Sequence, residues 1–595
     1  MASLKFGFYG LALLLMSSPA LADAPAALDF NLAQQSPPSS PAPLNFNPIT
    51  QGTQIVLNGQ TFGGNWSQWQ ADGATRIGLS DALLTQQFGA ELLSTNDASR
   101  QPIQWFSEAV FPTRLTPPLR YLDVTEFVQK NGWRTQISGN TLQITTPIAN
   151  LTAIQQEQPT PNIDLISISF DRPVTWQADP QLNELVLTLD AQVDQAQLEK
   201  FKPTAASRIR SLKVERNGNR TIVRIGVPLS LRSRITTASS PDRIVIEVGA
   251  NFLADKEILW ANGLFWRQRS LTVGTNQFPI VWLEVNPRQP GLSIRPILPN
   301  STTLVGTLPL FTTAQQSLAT AAINGGYFNR NNQLPLGAIK LENRFASGPI
   351  LSRGVAGWDA AGNWKFDRLT LQETIVLGSG QRFPLTTLNS AYVQAGIARY
   401  TADWGSTYTT LTDNEILLPV QNNQTGTQQL VPTAGTAVTV PTTGYLLAFR
   451  SNRTAAASFT PAIPVQLQST FNLPDLAAFP NLIGGGPLLI RNGQIVLDGR
   501  LEQFSTAFIQ ERAARSAIGQ TADGRILIVT AQNNVSGVGA TLSDMAVIMQ
   551  QLGAVNALNL DGGSSTTLYL GGQILDRPLR SSARVHNGIG VFLQP

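Results

Sequence analysis

The chain has 595 residues, several times the length of a usual domain, so more than one domain is expected. Only 13% of the residues are charged, the net charge is +4, and no run of Lys and Arg occurs, which argues against a nucleic-acid-binding protein. With no cysteine and a single histidine, the sequence excludes disulfides, thiolate zinc sites, cysteine nucleophiles and multi-histidine metal sites.

The N-terminal segment has the pattern of a secretory signal. Lys5 precedes an apolar stretch at residues 6–16, and residues 20–22 are Ala-Leu-Ala, the small-x-small form of a cleavage site. We therefore expect residues 1–22 to be a signal peptide, removed during secretion to the periplasm or cell envelope. Residues 23–50 form a Pro/Ser-rich linker. No later stretch is apolar for about 18 residues, so no membrane span is expected after cleavage.

Residues 51–148 carry a weak internal repeat of strand, short helix, glycine and strand, with copies that begin near residues 77 and 121. Residues 138–140, Ser-Gly-Asn, predict a hairpin turn because Gly and Asn accept positive φ. The repeat resembles the small stalk-like domain at the N-terminus of copper amine oxidases and many bacterial envelope proteins. The resemblance implies a spacer or wall-binding module without copper chemistry, since the sequence offers no copper ligand set.

Residues 160–250 are rich in predicted strands. Apolar and polar residues alternate at 165–170 and 220–227, as in half-buried antiparallel strands, and the short spacing predicts a β-sandwich. This region resembles the AMIN domain, which localises periplasmic amidases and outer-membrane secretins by binding peptidoglycan. Arg208, Arg210 and Arg224 alternate along its strands and can face an anionic glycan; for each of them an ordinary solvated strand face remains the alternative.

The largest predicted unit, residues 265–595, contains two apolar strands that end at a polar residue followed by Gly-Gly. One ends at Asn324 and the other at Asp561. A carboxylate at such a turn lies at a rim, and the glycine amides there can face an anion; the alternative is a turn Asp that caps its own backbone. Before the second strand, Thr541 and Asp544 predict the capping box of a helix.

Five motifs follow one another in this unit: INGGYF at 323–328, GGGPLLIRNG at 484–493, RAARSAIG at 512–519, TLSDMAVIMQQLGAVNALNLDGGSSTTLYLGG at 541–572 and RVHNGIGV at 584–591. Together they resemble the phosphodiester glycosidase family, which includes the N-acetylglucosamine-1-phosphodiester α-N-acetylglucosaminidases and bacterial exopolysaccharide-biosynthesis-type proteins. The chain departs from the family at Ala514-Arg515-Ser516, where Pro-Arg-Thr is usual, and at Ser564, where a third Gly is common. Residues 363–481 match none of the motifs.

The resemblance implies hydrolysis of a sugar–phosphate diester at the anomeric carbon. The expected catalytic residues are Asp561, as nucleophile or general base, and Arg515, as the clamp for the phosphate; a structural Arg–Asp pair is the alternative for Arg515. Glu511 and Asp544 are reserve carboxylates, and His586 is interpreted as a surface residue without a role. The residues expected to bind substrate are Asn324, Gly325, Gly326, Gly485, Arg512, Ser516, Gly562, Gly563 and Asn587.

No metal-ligand cluster is visible in the sequence, so no cofactor is assigned, although separated oxygens leave a site for Ca²⁺ or Mg²⁺ open. The predicted fold class is α+β: a small α+β stalk module, a β-sandwich module and a large mixed C-terminal domain. The predicted function is a secreted envelope hydrolase that cleaves a GlcNAc-like glycosyl phosphodiester in cell-wall or exopolysaccharide glycans and is held near peptidoglycan by its N-terminal modules. The alternative is a non-catalytic glycan- or peptidoglycan-binding envelope protein that retains a glycosidase-like fold.

Overall fold

The computed structural model describes residues 49–160, 163–181, 183–194, 208–228, 231–249, 253–300 and 302–594. The predicted signal peptide and nearly all of the predicted linker lie outside these residues. Strands far outnumber helices and form several separate sheets, which confirms the predicted β-rich, multi-domain α+β class. Across the described ranges, no helix combines the length and the apolar character needed to cross a membrane.

The first part of the chain forms a nine-stranded sheet in the order β4-β5-β6-β7-β3-β2-β1-β9-β8. Both predicted copies of strand, helix, glycine and strand are confirmed, with Gly89 and Gly132 at positive φ after their helices. The predicted hairpin turn lies between β8 and β9. The elements are β1 (Thr50–Leu57), β2 (Gln60–Ala71), β3 (Ala74–Ser80), α1 (Asp81–Gln87), β4 (Glu91–Leu92), β5 (Arg100–Trp105), β6 (Ser107–Thr116), β7 (Leu119–Asp123), α2 (Thr125–Lys130), β8 (Arg134–Ser138) and β9 (Thr141–Thr145).

Two further sheets, β14-β10-β11-β18-β17 and β12-β13-β16-β15, contribute their apolar side chains to one hydrophobic cluster, as in a sandwich. The first strand begins at Ala149, earlier than the predicted boundary at residue 160. Arg224 is occupied by ion pairs with Glu184 (3.1 Å) and Glu215 (3.3 Å). The strands are β10 (Ala149–Thr160), β11 (Ile163–Phe170), β12 (Trp176–Pro180), β13 (Glu184–Leu189), β14 (Ala191–Gln192), β15 (Leu212–Asn217), β16 (Arg220–Gly226), β17 (Arg232–Ala238) and β18 (Arg243–Gly249).

The C-terminal part begins with a strand at Lys256, a little before the predicted boundary at residue 265. Its first half contains β19 (Lys256–Ala261), β20 (Leu264–Val273), β21 (Asn276–Val285), β22 (Leu292–Ile297), β23 (Leu308–Pro309), α3 (Leu310–Gln316), β24 (Ala321–Asn324), β25 (Phe328–Asn329), β26 (Leu334–Pro335), β27 (Ile339–Leu341), β28 (Arg344–Ser347), β29 (Gly354–Trp358), β30 (Trp364–Arg368), β31 (Leu371–Leu377), β32 (Arg382–Leu385), β33 (Thr387–Leu388), β34 (Gly396–Tyr400) and β35 (Thr407–Thr409).

Its second half contains β36 (Glu415–Gln421), β37 (Gln424–Thr425), β38 (Gln429–Val431), β39 (Ala437–Thr439), β40 (Tyr445–Arg450), α4 (Arg453–Ala456), β41 (Val465–Phe471), α5 (Pro474–Ala477), β42 (Asn481–Gly484), β43 (Leu488–Arg491), β44 (Gln494–Ile495), α6 (Thr506–Gln510), β45 (Arg515–Thr521), β46 (Ile526–Ala531), α7 (Leu542–Gln551), β47 (Ala554–Asn559), β48 (Leu568–Leu570), β49 (Gln573–Ile574), β50 (Arg584–Val585) and β51 (Gly588–Leu593). Two 3-10 turns lie at Gly563–Ser565 and Leu579–Ser581.

Three sheets position the site: β19-β20-β21-β46-β45-β47-β43-β44, β22-β51-β24-β48-β49, and β28-β27-β42-β29-β30. The predicted capping box begins α7, since the Thr541 side chain accepts from the Asp544 amide and the Asp544 carboxylate accepts from the Thr541 amide. The buried face of α7 packs on the eight-stranded sheet. A Cβ at Gly519 in β45 would lie 2.6 Å from Met549 Cε, so glycine permits this close packing.

The segment that matched no motif forms two more sheets, β32-β31-β41 and β33-β34-β40-β36-β37, with β38 paired to β36. They enclose a hydrophobic cluster of their own, which includes Ile375, Leu418, Leu447 and Phe459. The segment is therefore a folded β subdomain, which lies in the sequence between β30 and α5.

Candidate active site

Asp561 lies where the chain leaves β47, a central strand of the eight-stranded sheet. The Leu560 amide donates to the Ser516 carbonyl (2.9 Å), and the Asp561 amide donates to the Gly325 carbonyl (3.0 Å). These two bonds fix Asp561 between the end of β24 and the start of β45. The structure thus brings the two predicted Gly-Gly turns and the Arg515 motif to one place, although 236 residues separate Gly325 from Asp561.

The first Gly-Gly pair is required by close packing rather than by positive φ. A Cβ at Gly325 would lie 2.0 Å from Asn587 Oδ1, and a Cβ at Gly326 would lie 2.0 Å from the Gly484 carbonyl oxygen. The Gly325 amide donates to the Asn587 carbonyl (2.9 Å), and the Gly326 amide donates to Asn587 Oδ1 (2.7 Å). Each amide has a single hydrogen to donate, so neither is free for a substrate oxygen.

The second Gly-Gly pair is also occupied within the protein. The Gly562 amide donates to Asp561 Oδ1 (3.0 Å), and the Gly563 amide donates to the Ala514 carbonyl (2.7 Å). The capping bond at Gly562 is the one that a turn Asp was expected to make with its own backbone. The four amides therefore hold the turns in place, a use that the sequence did not indicate.

Asn324, Ser516, Gly485 and Asn587 support the turn. Asn324 is buried; its Nδ2 donates to the Asp561 carbonyl (2.6 Å), and its Oδ1 accepts from Ser516 Oγ (2.7 Å) and from the Thr567 amide (3.1 Å). The Gly485 amide donates to the Gly354 carbonyl (3.0 Å), and a Cβ there would lie 2.4 Å from the Asn559 carbonyl oxygen. The polar groups expected to hold substrate are thus used to position Asp561.

Asp561 as a whole residue is half-buried, and surrounding protein atoms exclude most water from its carboxyl group. Burial raises the pKa of Asp561 to about 6, because removing water disfavours the charged form more than the Gly562 amide bond favours it. A carboxyl group with this pKa is mostly ionised at neutral pH and can exchange a proton readily. Both roles expected of Asp561, nucleophile and general base, require that ionised form.

Arg515 begins β45 beside the same turn and is only 1% exposed. Its Nε donates to the Ala540 carbonyl (3.0 Å), and its Nη2 donates to the Glu511 carbonyl (2.5 Å). Within the described residues, no carboxylate oxygen lies within 4.0 Å of the guanidinium, and Nη1 has no hydrogen-bond partner. Nη1 lies 3.8 Å from the position of a Cβ on Gly562. Burial lowers the pKa of Arg515, and the surrounding acidic groups only partly offset this.

Arg512 lies along a groove next to the Gly563 turn. This groove has a volume of about 430 Å³ and is lined by Arg512, Ala513, Ala514, Gln532, Asn533, Gly563, Ser564, Arg577 and Ser581. The Arg512 guanidinium is half-exposed and lies 3.8 Å from the Asp544 carboxylate. Of the two reserve carboxylates, Asp544 is engaged in the cap of α7. Glu511 accepts from Arg515 through its backbone carbonyl only, and together with burial the charge of its exposed side chain raises the pKa of Asp561.

Three aromatic residues that the sequence did not single out form a cluster beside Asp561. Tyr327 lies 5.6 Å from both Phe504 and Phe508, and the two Phe rings stack at 4.8 Å, all measured between ring centroids. The Tyr327 hydroxyl donates to the Gly486 carbonyl (2.6 Å), and burial raises the pKa of this tyrosine. Tyr327 belongs to the INGGYF motif, which was a usable signal; Phe504 and Phe508 lie outside every motif.

The interpretation of His586 as a surface residue is wrong, because its side chain is only 1% exposed. Its Nε2 lies 2.6 Å from the Leu304 carbonyl oxygen and its Nδ1 lies 3.2 Å from Asn587 Nδ2. Burial lowers the pKa of His586 to about 4, so the ring is neutral at physiological pH and orients Asn587. Among the residues that the model describes, no group of three His, Cys, Asp or Glu side chains could hold a metal ion.

Part of the chain is similar to known proteins. Residues 419–592 match the family model described as phosphodiester glycosidase. The N-acetylglucosamine-1-phosphodiester α-N-acetylglucosaminidases of Mus musculus and Homo sapiens are each 34% identical to this chain over 109 residues. That stretch is 17% of this chain and 21% of either mammalian protein, so the chain matches only about a fifth of the length of these relatives.

One solved structure resembles nearly the whole chain. A hypothetical protein from Synechocystis, known from a crystal structure, shares 41% sequence identity with it and a TM-score of 0.85. The similarity covers 92% of this chain and 100% of the Synechocystis chain. The arrangement of the N-terminal sheets before the C-terminal part is therefore common to both proteins.

Proposed function

Since the chain belongs to one family with the Synechocystis protein and its residues 419–592 match the phosphodiester glycosidase model, we propose that it is a hydrolase of phosphodiester-linked sugars. Its substrate would be a glycosyl phosphodiester, GlcNAc-like, in a cell-wall or exopolysaccharide glycan. The mammalian relatives are named for an activity on N-acetylglucosamine 1-phosphodiesters, which supports this choice of substrate class.

The observation that carries the proposal is the guanidinium of Arg515, buried without a carboxylate partner beside Asp561. A charged group removed from water is costly unless an opposite charge compensates it. A phosphodiester supplies that charge and accepts hydrogen bonds from a guanidinium in a fork geometry. Nη1, which has no partner among the described residues, is the donor left for this contact. Arg515 therefore has the burial and the free donor that a phosphate clamp needs.

In the proposed reaction, water displaces a phosphate monoester from the anomeric carbon of the sugar. The bond between that carbon and the bridging oxygen breaks, and its electron pair leaves with the phosphate. Arg515 offsets the charge that develops on the leaving group. Asp561 acts on the sugar side, as nucleophile or as the base that takes the proton of the attacking water. Asn324 and Ser516 hold the Asp561 backbone at fixed distances throughout.

A chromogenic phosphodiester of N-acetylglucosamine or glucose tests the proposal. We expect Asp561→Asn and Arg515→Ala each to lower kcat/KM by at least about 1,000-fold while the circular dichroism of the protein stays unchanged, since each removes a group that acts on developing charge. Arg382→Ala is the matched control, because Arg382 is exposed on β32 in the inserted subdomain. Undiminished turnover in both site variants would refute the assignment. A wild-type protein that binds glycans but releases no chromophore would favour the non-catalytic alternative.

We also propose that the protein lies in the cell envelope, because residues 1–22 have the pattern of a secretory signal. Residues 51–148 resemble a stalk-like spacer or wall-binding domain, and residues 160–250 resemble the peptidoglycan-binding AMIN domain, which supports the same proposal. The test is co-sedimentation of the full chain with purified peptidoglycan. We expect the wild-type protein to pellet, and the combined change of Arg208, Arg210 and Arg224 to Ala to leave more of it in the supernatant. A wild-type chain that stays in solution would leave the two modules as spacers.

A further inference from the structure

Arg353 is a second arginine that contacts the aromatic cluster beside Asp561, and no motif of the sequence contains it. It ends a four-residue turn in which the Arg353 amide donates to the Ile350 carbonyl (3.0 Å). The two central residues, Leu351 and Ser352, have φ values of 52° and 53°. This is the geometry of a type I′ turn, which normally takes Gly, Asn or Asp because other residues are strained at positive φ. The surrounding structure holds this strained turn, which fixes Arg353 at the start of β29.

The guanidinium of Arg353 lacks the partners that a half-buried cation usually has. Its Nε is buried without a hydrogen-bond partner, and no carboxylate of the described chain lies within 4.0 Å of it. The charge of Glu502 acts on Arg353, but the Glu502 carboxylate is already occupied. It accepts from the Gly354 amide (2.8 Å), the Leu488 amide (2.8 Å) and Arg368 Nε (2.9 Å). Arg353 is therefore an unpaired charge in a polar network that is otherwise satisfied.

The aromatic cluster of Tyr327, Phe504 and Phe508 connects Arg353 to the proposed active site. Arg353 Cζ lies 4.1 Å from the centroid of Phe504 and 5.8 Å from that of Tyr327. On the same cluster, Arg515 Cζ lies 5.7 Å from the centroid of Phe508. The Tyr327 hydroxyl is 3.4 Å from the carbonyl oxygen of Leu560, the residue before Asp561. Two guanidinium groups without carboxylate partners thus flank one half-exposed aromatic cluster.

We propose that Arg353 is a specificity-determining residue that binds a second anionic group of the substrate, a carboxylate or phosphate distinct from the phosphodiester. The inference rests on the proposed function, because it assumes that Asp561 and Arg515 hold the sugar–phosphate bond at one end of the site. Stacking on Phe504 limits the rotation of the guanidinium, so little side-chain entropy is lost when an anion binds. The favoured substrate is then a phosphodiester with an additional negative charge, on either its sugar or its leaving group.

Three diesters with the same phosphodiester bond separate the sources of that charge. They are N-acetylglucosamine 1-phosphate joined to glycerol, the same sugar phosphate joined to glycerate, and glucuronic acid 1-phosphate joined to glycerol. Their binding is measured by calorimetry with the full chain carrying Asp561→Asn, so that none is hydrolysed. We expect one of the two diesters with an additional carboxylate to bind at least about tenfold more tightly than N-acetylglucosamine 1-phosphate joined to glycerol, which carries the phosphodiester charge alone. That gain is typical of one charge-assisted hydrogen bond.

Adding Arg353→Gln should reduce that preference to less than about twofold, with little change for N-acetylglucosamine 1-phosphate joined to glycerol, and Arg353→Lys should restore part of it. The matched control is Arg295→Gln. Arg295 lies on β22, and its Cζ also lies over an aromatic ring, 4.0 Å from the centroid of Phe592. A parent protein without any preference, a preference that survives Arg353→Gln, or an equal loss for all three diesters would overturn the inference. Failure of the hydrolase proposal gives a different pattern. The chain with Asp561 intact would then turn over none of the diesters, while the Arg353-dependent preference in binding would still be present.

Discussion

Arg120 and Arg515 are both only 1% exposed, and the protein treats them in opposite ways. Arg120 donates to the Asp81 carboxylate (2.8 Å), to Gln101 Oε1 (2.9 Å) and to the Trp260 carbonyl (3.1 Å). The Asp81 carboxylate matches the charge of Arg120, and these hydrogen bonds join the nine-stranded sheet to β19. Among the described residues, Arg515 donates hydrogen bonds only to backbone carbonyls. Burial of an arginine is therefore not a mark of function by itself; burial without a matching acid is the informative feature.

The largest effect expected from this comparison is on stability at Arg120. Arg120→Met should lower the free energy of unfolding by about 3–5 kcal/mol, because Asp81 would stay buried without its cation. Urea unfolding at neutral pH, followed by tryptophan fluorescence, measures the change. The double variant with Asp81→Leu should recover part of the loss, since it removes the unpaired charge as well. A loss below about 1 kcal/mol would show that the network is not what holds these elements together.

The sequence correctly predicted several local elements of the fold. The turn at Gly139-Asn140 and the capping box at Thr541 and Asp544 were confirmed, because each depends on residues a few positions apart. The family resemblance implied that Arg515 and Asp561 act at one site, and Arg515 does lie beside the Asp561 turn. Those parts of the structure could be anticipated from residue chemistry and pattern.

The hydrogen-bond partners of the buried polar groups could not be predicted from the sequence in the same way. Asn324 and Thr567 are 243 positions apart, and their hydrogen bond exists only once β24 and β48 are paired. Phe504 and Arg353 lie outside the motifs and meet through tertiary packing alone. His586 shows the same limit, since nothing in its neighbours along the chain indicated that it is buried. Sequence patterns report local preferences, whereas partners of buried polar groups are decided by the assembled fold.

A smaller effect on stability is expected at the carboxyl group of Asp561. Its pKa is about 6 in the folded protein and about 4 in the unfolded chain, so the folded state binds a proton more tightly between these values. Wild-type stability should therefore fall as the pH rises through this window. Asp561→Asn carries no charge and should be more stable than the wild type above pH 6, by about 1 kcal/mol after allowance for partial exposure. Below about pH 4 the two proteins should be equally stable.

Thermal unfolding at pH 4 and pH 7.5 measures this difference, with Asp523→Asn as the control. Asp523 is exposed at the turn between β45 and β46, and despite partial burial its pKa is lowered by a hydrogen bond from Thr521 and by the charge of Arg525. The control should lose stability at pH 7.5, the opposite sign. If Asp561→Asn instead loses stability at pH 7.5, its carboxylate is stabilised in the fold and the assignment of a raised pKa is wrong.

The smallest effect on stability is expected at Arg515 itself. Arg515→Met should change the free energy of unfolding by less than about 1 kcal/mol, because no carboxylate loses its cation and an unpaired buried charge is removed. The Ala540 carbonyl keeps the Ala513 amide as a donor (3.3 Å), and the exposed Glu511 leaves its carbonyl within reach of water. The same urea experiment used for Arg120→Met measures it. A loss as large as that of Arg120→Met would mean that Arg515 is a structural arginine, and the contrast between the two would no longer identify a phosphate clamp.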